Sequence, residues 1–222
     1  MTVENKHLLQ RRCPLCHSQN IELFHRDEKR DFLNCNHCEL IFVPKQFHLD
    51  TREEKLIYDQ HENNPADFGY RHFLSRLAKP LNDRIGANSY GLDFGSGPGP
   101  TLSVMLSELG HNMDIYDPFY APEQKYLHKD YDFITATEVF EHLSQPRREI
   151  QSLWSCLKLG GFLAVMTKLW TGQGRFAQWH YKNDPTHIAF YRPESFHYIA
   201  NQWGAEIEIL SKEVVILKKN PH

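Results

Sequence analysis

Long hydrophobic runs are missing from the 222-residue sequence. A helix that spans a membrane needs about 20 consecutive, mostly apolar residues, and no stretch of the chain approaches this length. The polar start MTVENKHLLQRR also lacks the apolar core of a secretory signal peptide. We therefore predict a soluble protein that resides in the cytoplasm and does not bind a membrane.

An excess of charge of either sign is missing as well. Lysine and arginine number 25 and aspartate and glutamate 28, which gives a net charge of -3 with neutral histidines. Surfaces that bind nucleic acid normally carry a basic excess, so this balance does not favour a nucleic-acid substrate. With 41% hydrophobic and 13% aromatic residues, the chain has enough apolar material to form a core, which excludes wholesale disorder.

Cysteine is scarce, and its distribution is uneven. Four of the five cysteines form two C-x2-C pairs, Cys13 with Cys16 and Cys35 with Cys38, and 18 residues separate the pairs. This spacing is typical of a structural zinc site, in which each pair supplies two thiolates to one tetrahedral ion. A redox motif needs only one pair, and disulfides are rare in the cytoplasm. We therefore predict a zinc ribbon over residues 1–48, with these four cysteines as ligands.

From Tyr90 onward, predicted strands alternate with predicted helices. The strands are the segments GLDFG, HNMDIYD, YDFITATE and FLAVMTKL, and the helices cover residues 100–109 and 139–159. Upstream, residues 51–64 and 68–85 also have helical patterns, and the second helix is expected to end near Pro80. Strands that alternate with helices form a parallel sheet covered on both faces. We therefore predict an α/β domain over residues 49–222.

The first of these strands runs into a glycine-rich turn, YGLDFGSGPGP, at residues 90–100. In an open parallel sheet, ligands bind at the carboxyl ends of the strands, and glycine allows a ligand to approach the backbone closely. A dinucleotide site would have the pattern G-x-G-x-x-G/A. Gly95 and Gly97 fit this pattern, but Pro100 occupies the third position. The D-x-G-x-G-x-G pattern, which starts at Asp93, instead resembles the S-adenosylmethionine loop of class I methyltransferases.

The resemblance to class I methyltransferases continues in order over residues 80–170. Asp117 ends the second strand, where the family has an acid that binds the ribose hydroxyls, and LKLGG resembles the turn into the family's fifth strand. The resemblance implies a Rossmann-like fold of the seven-stranded, largely parallel type, with S-adenosyl-L-methionine as the cofactor. It implies that the cofactor is held by Asp93, Gly95, Ser96, Gly97, Gly99, Asp117 and Glu138. Only about a dozen residues separate Pro118 from the fourth strand, so the family's third strand and helix are expected to be absent.

Glu138, Glu141 and His142 follow the fourth strand at i, i+3 and i+4, so a helix would place them on one face. This E-x-x-E-H pattern resembles two groups of metal-assisted methyltransferases, which modify small RNAs or ubiquinone precursors. The resemblance implies a divalent cation such as Mg²⁺, held by these three residues and His187. The same pattern also occurs in methyltransferases without a known metal, where the acid and the histidine line the pocket. Both interpretations stay open.

Methyl transfer from a sulfonium requires alignment of the acceptor and, for a hydroxyl or carbon acceptor, removal of a proton. His187 and His180 are the predicted bases because imidazole titrates near working pH, and Glu141 and His142 are the further catalytic candidates. Both bases lie in a segment predicted to form a mobile lid over the substrate, with Gly172 and Gly174 as flexible points. The aromatic residues of this segment are Trp170, Phe176, Trp179, Tyr181, Phe190 and Tyr191.

We therefore predict an S-adenosylmethionine-dependent methyltransferase that acts on a hydroxyl or carbon of a small molecule, or of a group attached to a macromolecule. By position, residues 58–63 are expected to cap the cofactor. Two alternatives stay open. One is an RNA O-methyltransferase that uses a divalent metal at the E-x-x-E-H cluster, and the other is a non-catalytic protein whose zinc ribbon recruits a partner.

Overall fold

Ten strands and five α-helices form in the computed structural model, which describes residues 12–60, 63–172 and 175–220. The strands are β1 (Ile21–Arg26), β2 (Asp31–Cys35), β3 (Ile41–Phe42), β4 (Tyr90–Phe94), β5 (Asn112–Tyr116), β6 (Tyr131–Thr137), β7 (Leu157–Met166), β8 (Ala189–Phe190), β9 (Ala205–Ile209) and β10 (Val214–Lys219). The helices are α1 (Thr51–Tyr58), α2 (Phe68–Asn82), α3 (Thr101–Glu108), α4 (Pro146–Ser155) and α5 (Pro193–Trp203). No helix within these described ranges is both long enough and apolar enough to cross a membrane.

The larger sheet has six strands in the order β5-β4-β6-β7-β10-β9. The first four are parallel, and β10 runs antiparallel to both β7 and β9. Successive residues of a strand point to opposite faces, so Phe133 of β6 packs with Leu77 of α2, and Ile134 packs with the cluster that contains Ile150 of α4. The predicted Rossmann-like α/β fold, with helices on both faces of a largely parallel sheet, is confirmed.

This sheet is one strand short of the seven-stranded type. β5 lies at its edge, and the chain between β5 and β6 forms only a short 3-10 helix, Gln124–His128. The expected loss of the family's third strand and helix therefore agrees with the described residues. Beyond β5, the sheet edge has no further strand in the described part of the chain.

Two helices have different bounds from those predicted. α4 begins at Pro146 rather than at residue 139, because proline lacks the N–H that a continuing helix requires and fits best in the first turn. Residues 140–142 form a separate 3-10 turn. Conversely, α2 continues through Pro80 to Asn82, since a proline so close to the end of a helix removes only one late hydrogen bond.

The smaller sheet, in the order β1-β2-β3-β8, contains the N-terminal ribbon, which we define as residues 12–43. The segment FLNCNHCELIFVP contributes to the two strands β2 and β3. A tight turn joins them, in which Glu39 has a φ of 57° and the Cys35 N–H donates to the Leu40 carbonyl. β8 pairs with β3, so this sheet includes two residues from far beyond residue 48.

A separate apolar core joins the ribbon to the chain that follows β7. We call it the ribbon–loop core, and its buried members are Phe32, Ile41, Val43, Trp170, Phe176, Tyr181, Ile188 and Phe190. The rings of Phe32 and Phe176 meet edge to face, with centroids 5.2 Å apart. Because most aromatic residues of the predicted lid are buried against the ribbon, they do not form a stacking surface for a substrate.

Candidate active site

The glycine-rich turn joins the end of β4 to α3. Gly95 and Gly97 have φ angles of 76° and 64°, which side chains with a Cβ rarely allow. A Cβ at Gly99 would lie 1.9 Å from the Asn63 carbonyl oxygen, and one at Gly97 would lie 2.7 Å from the Asn63 Nδ2. The upstream segment with Asn63 therefore lies directly over the turn, and only glycine fits beneath it.

Two buried carboxylates fix this turn. The Asp117 Oδ2 accepts a hydrogen bond from the Gly97 N–H at 3.0 Å, and its Oδ1 accepts from two backbone N–H groups of the next turn. Asp93 accepts hydrogen bonds from the hydroxyls of Ser103 and Thr135 at 3.0 and 2.8 Å. Burial raises the pKa of Asp93 to about 6. Asp93 thus orients the end of β4, and Asp117 joins the glycine turn to the end of β5.

A cavity of about 930 Å³ opens at the carboxyl ends of β4, β5 and β6. Of the predicted cofactor residues, those that line it are Asp93, Gly95, Ser96, Gly97, Asp117 and Glu138. Gly99 does not line it, because Asn63 covers that glycine. The Ser96 Oγ and Thr137 Oγ1 are buried there without a hydrogen-bond partner among the described residues. Its volume and these polar atoms fit S-adenosylmethionine.

The upstream segment closes one side of this cavity. Tyr58 and Asn63 both line it, which agrees with the position expected for a cap over the cofactor. His61 and Glu62, from the same predicted segment, lie outside the described residues.

Glu138 lies at the end of β6 in an uncommon backbone conformation, with a φ of 53°. Its N–H donates to the Met166 carbonyl at 2.8 Å, which anchors it to the end of β7. Burial, and then the charge of Glu141, raise the pKa of Glu138 to about 8. The side chain therefore holds a proton near neutral pH, and a cationic ligand in the cavity would favour its ionised form.

Glu141 is fully buried and does not line the cavity. Its Oε1 accepts a hydrogen bond from the Tyr181 hydroxyl at 2.5 Å, and its Oε2 accepts one from the Thr167 hydroxyl at 2.8 Å. Its backbone carbonyl accepts from the Ile188 N–H at 2.8 Å. Burial raises the pKa of Glu141. The residue therefore connects the ends of β6 and β7 to the segment that carries His187.

His142 and His187 both line the cavity, with ring centroids 4.8 Å apart. The His187 Nδ1 lies 2.7 Å from the Tyr181 carbonyl oxygen, and the His142 Nδ1 lies 3.0 Å from that of Thr186. A carbonyl only accepts, so each Nδ1 carries a hydrogen and each neutral ring has its lone pair on Nε2. Burial, followed by the charge of His142, lowers the pKa of His187. Neutral His187 can therefore accept a proton at Nε2.

Several residues predicted for the lid lie elsewhere. His180, the alternative base, is exposed and does not line this cavity. Tyr191 is fully buried, and its hydroxyl donates to the Phe140 carbonyl at 3.3 Å. Gly174 lies outside the described residues. The short 3-10 turn at residues 180–183 directs neighbouring side chains to different surroundings, so Tyr181 is buried although His180 is exposed.

Sequence analysis did not identify Lys168 as a residue of the cavity or Tyr181 as a residue that holds Glu141 and His187. Lys168 lines the cavity, and its ammonium lies 5.3 Å from the centroid of the Tyr181 ring. Tyr181 was noted only as an aromatic residue, although its hydroxyl holds Glu141 and its carbonyl holds His187. The position of Lys168 just after β7 was the only available signal, since residues at the carboxyl edge of a parallel sheet face the ligand.

The structure brings together only three of the four predicted ligands of the catalytic metal. Ligand atoms of Glu141, His142 and His187 lie within 4.8 Å of one another, and Glu138 is not in this group. Both carboxylate oxygens of Glu141 already accept hydroxyl hydrogen bonds. Mg²⁺ prefers an octahedral shell of oxygen ligands, whereas two imidazoles and one carboxylate fit a transition metal better. The donor set therefore does not fit Mg²⁺ well.

The four ribbon cysteines lie close together. The Cys13 Sγ is 3.5 Å from the Cys38 Sγ, and the Cys16 Sγ is 3.4 Å from the Cys35 Sγ. A tetrahedral zinc ion with Zn–S bonds of about 2.3 Å places its sulfurs roughly 3.8 Å apart. None of the cysteines forms a disulfide in the described chain. Hydrogen bonding to Cys13 raises the pKa of Cys38, so these thiols do not all ionise unless a cation binds. The geometry is compatible with a zinc ribbon.

We expect protein purified without added metal to contain about one equivalent of zinc, because a ribbon this small needs an ion to fold. Elemental analysis of the unmodified protein and of the Cys35→Ser variant would measure it. Cys156→Ser is the matched control, since Cys156 lies outside the cluster and its thiol donates to the Leu127 carbonyl. Less than about half an equivalent in the unmodified protein would contradict the prediction.

The turn between β1 and β2 connects the ribbon to the His187 segment. Arg30, in this turn, is 7% exposed. Its guanidinium donates to four backbone carbonyls, those of Lys182, Asp184, Pro185 and His187. The buried Lys182 ammonium also pairs with the Asp27 carboxylate at 2.8 Å. The ribbon therefore fixes the backbone that presents His187 to the cavity.

Comparison with known proteins gives a consistent result for the fold. A family model described as a methyltransferase domain matches residues 66–209, whereas no curated protein sequence matches the chain. An S-adenosylmethionine-dependent methyltransferase from Archaeoglobus fulgidus superposes with a TM-score of 0.54 at 18% identity, over 77% of this chain and 100% of that one. At these levels of identity, structural similarity shows the fold alone.

Two structures from Burkholderia thailandensis have the same fold. One is 1,6-didemethyltoxoflavin-N1-methyltransferase, solved with 1,6-didemethyltoxoflavin and S-adenosylhomocysteine, with a TM-score of 0.51 at 12% identity over 90% of this chain and 100% of that one. The other is an O-methyltransferase family protein with a TM-score of 0.51 at 11% identity, over 79% of this chain. The match covers 62% of that protein, so the chain spans less than two thirds of its length.

Proposed function

Because the chain belongs to the class I S-adenosylmethionine-dependent methyltransferases, we propose that it transfers a methyl group from S-adenosylmethionine to a hydroxyl or carbon of a small molecule, or of a group attached to a macromolecule. One observation carries this proposal: the glycine turn with Asp117 and the two histidines line the same cavity. Such an acceptor requires both a cofactor and a nearby base. The Burkholderia neighbour that holds 1,6-didemethyltoxoflavin supports a small-molecule acceptor.

The glycine turn and the carboxylates provide the cofactor end of the cavity. S-adenosylmethionine, when bound, supplies an electrophilic methyl group on a sulfonium. Gly95 and Gly97 allow it to approach the backbone. Each Asp117 oxygen can accept two hydrogen bonds, and backbone N–H groups use both positions on Oδ1 and one on Oδ2, so the carboxylate can bind one ribose hydroxyl at Oδ2 while it still holds the turn. Glu138 would ionise near a cationic ligand and attract it.

The base at the other end of the cavity is His187. Its Nε2 accepts the proton that the acceptor loses as it attacks the methyl group. The Asp184 carboxylate lies 3.9 Å from this nitrogen, so it stabilises the imidazolium that forms. The Tyr181 carbonyl holds Nδ1 and keeps the lone pair on Nε2. Zinc in the ribbon has a structural role in this proposal, because the ribbon positions the His187 segment through Arg30.

Gly97→Leu is expected to abolish binding of S-adenosylhomocysteine, because its side chain would enter the cavity and meet Asn63. Asp117→Asn is expected to weaken binding about tenfold or more, since one charge-assisted hydrogen bond contributes about 1.5–3 kcal/mol. Isothermal titration calorimetry measures both. Gly110→Leu is the matched control, because Gly110 also has a positive φ, 90°, but borders open space.

Unchanged affinity in both variants would place the cofactor elsewhere. Failure of the unmodified, folded protein to bind S-adenosylhomocysteine or S-adenosylmethionine would favour the non-catalytic alternative, in which the ribbon recruits a partner.

A second candidate function is metal-assisted O-methylation, with RNA as the alternative acceptor. It is favoured by the group formed by Glu141, His142 and His187. A divalent ion there would lower the pKa of the acceptor hydroxyl in place of a base. The ion would have to displace the hydroxyl hydrogen bonds that Tyr181 and Thr167 donate to Glu141.

We expect a chelator to leave methyl transfer unchanged at concentrations that do not remove zinc from the ribbon, because His187 alone can take the proton. Activity and zinc content are measured on the same samples. A loss of activity that Mn²⁺ restores while the zinc content stays constant would instead establish the metal-assisted mechanism.

A further inference from the structure

A second cavity, of about 1190 Å³, lies between the ribbon and the start of α4. Three parts of the chain line it: the segment around Cys13, the turn after β3, and the segment that opens α4. Its cationic lining residues are Arg12, Lys45, Arg147 and Arg148. We call it the basic cavity.

Charge in the basic cavity is of one sign. Arginine and lysine supply four permanent positive charges, and no carboxylate lines it among the described residues. The whole chain, by contrast, carries a net charge of -3. Acidic residues outnumber basic residues over the whole chain, but no acidic side chain lines this cavity among the described residues. The cavity is therefore locally cationic. Several cations without lining carboxylates create a positive potential that attracts an anion.

Local geometry adds to this potential. The first turn of α4 faces this cavity through Gln145 and Arg147, and its N-cap residue, Gln145, makes no side-chain capping bond. Pro146 has no N–H and the Arg148 N–H donates to the Gln145 carbonyl, so in the described chain the Arg147 N–H is the one donor that this turn offers to an anion. Arg147 is positioned between the ribbon and the helix, since its Nη1 lies 3.5 Å from the Leu15 carbonyl oxygen and its guanidinium lies 5.8 Å from the Trp203 ring centroid.

The basic cavity adjoins the candidate active site. Ser144 and Arg148 line both cavities. Arg148 is exposed and forms no ion pair within the described residues. One ligand can therefore place a reactive end beside His187 and an anionic end beside Arg148.

We propose that the methyl acceptor carries a pyrophosphate or an equivalent, multiply charged phosphate group, which binds in the basic cavity while its other end reaches His187. This assignment rests on the proposed function. The chemistry fits arginine, which binds phosphate oxygens through two parallel N–H groups. A bounded cavity with about four cations matches a group of two phosphates better than a long polyanion, which needs an extended basic surface.

Calorimetry with inorganic pyrophosphate and with uridine diphosphate tests this proposal. Excess S-adenosylhomocysteine is present, so that neither probe can enter the cofactor end. We expect both probes to bind the unmodified protein and their affinity to fall about tenfold or more in Arg148→Glu and in Arg147→Gln. Tighter binding of uridine diphosphate than of pyrophosphate would support a nucleotide-linked acceptor, and equal binding would support the pyrophosphate group alone. Lys79→Glu, an exposed charge change on α2 that lines neither cavity, is expected to bind both probes normally.

The outcomes separate this proposal from the proposed function. Normal S-adenosylhomocysteine binding in every variant, with probe affinity unchanged by the Arg147 and Arg148 substitutions, would overturn the basic cavity only. Failure of both probes to bind at millimolar concentration would also overturn it. A short single-stranded RNA that binds far more tightly than either probe would overturn the small acceptor in favour of a nucleic acid. Loss of S-adenosylhomocysteine binding in the unmodified protein, with pyrophosphate still bound, would overturn the proposed function and leave the anion site in place.

Discussion

His187→Ala is expected to lower the rate of methyl transfer by about 10²- to 10⁴-fold, which is the usual contribution of a positioned general base. The buried ring is neutral at pH 7, and its lone pair is kept on Nε2 by the hydrogen bond from Nδ1 to the Tyr181 carbonyl. Affinity for S-adenosylhomocysteine is expected to stay the same, because the substitution does not touch the glycine turn. Single-turnover transfer of a radiolabelled methyl group to an acceptor found by screening gives the rate.

Two further variants make this test specific. His180→Ala is the matched control, because His180 belongs to the same segment but is exposed and lines neither cavity. His187→Asn can still donate a hydrogen bond to the Tyr181 carbonyl but cannot accept the proton, so its rate is expected to match that of His187→Ala. Because burial lowers the pKa of His187, the unmodified enzyme should lose activity only below the ordinary histidine range. Full activity in His187→Ala would end the assignment of His187 as the base.

Arg30→Met is expected to lower the rate of methyl transfer about tenfold or more, although Arg30 does not line the active-site cavity. Methionine has a similar length but no donors, so the four carbonyls that Arg30 holds would lose their partners. One unsatisfied buried acceptor costs about 1–3 kcal/mol, and we expect the His187 segment to open by at least about 2 kcal/mol more readily. Hydrogen exchange of the Thr186, His187 and Ile188 amides measures this opening.

A control on the same hairpin distinguishes positioning from general stability. The Arg26 side chain is 57% exposed and pairs with the buried Asp31, so Arg26→Met is expected to lower the stability of the hairpin while the contacts of Arg30 to the His187 segment stay in place. Arg30→Met should retain its affinity for S-adenosylhomocysteine while turnover falls about tenfold or more, since a misplaced base alone causes such a loss. Unchanged amide exchange in the segment, or equal damage from Arg26→Met, would show that Arg30 does not position His187.

The geometry of the glycine turn could be predicted because its requirements are local. A tight turn after a strand demands positive φ at Gly95 and Gly97, and only glycine meets that demand without strain. Asp117 follows at the end of the next strand, where a parallel sheet brings neighbouring carboxyl ends together. Such constraints act within a few residues, so they leave a readable pattern in the sequence.

The base and its support could be predicted only in part, because they depend on contacts between distant segments. Glu141 and His142 were expected on one face of an α-helix, but Pro146 begins that helix later and leaves them on a 3-10 turn. His180 and His187 looked equivalent in the sequence, and only the packing of the aromatic segment against the ribbon separates them. Arg30 donates to the His187 carbonyl, and the two residues are 157 positions apart in the sequence. Hydrophobic periodicity describes only local structure, so it cannot predict this contact.

The pairing of β3 with β8 has a consequence for the order in which the chain is made. The ribbon leaves the ribosome before the α/β domain, but β8, which completes its sheet, follows about 150 residues after β3, which takes roughly 8 to 30 s at about 5–20 residues per second. During this interval Ile41 and Phe42 lie on an open strand edge, and unpaired edges promote association between chains. The sheet that contains the ribbon therefore starts to form before the α/β domain is made and is completed only near the end of that domain's synthesis.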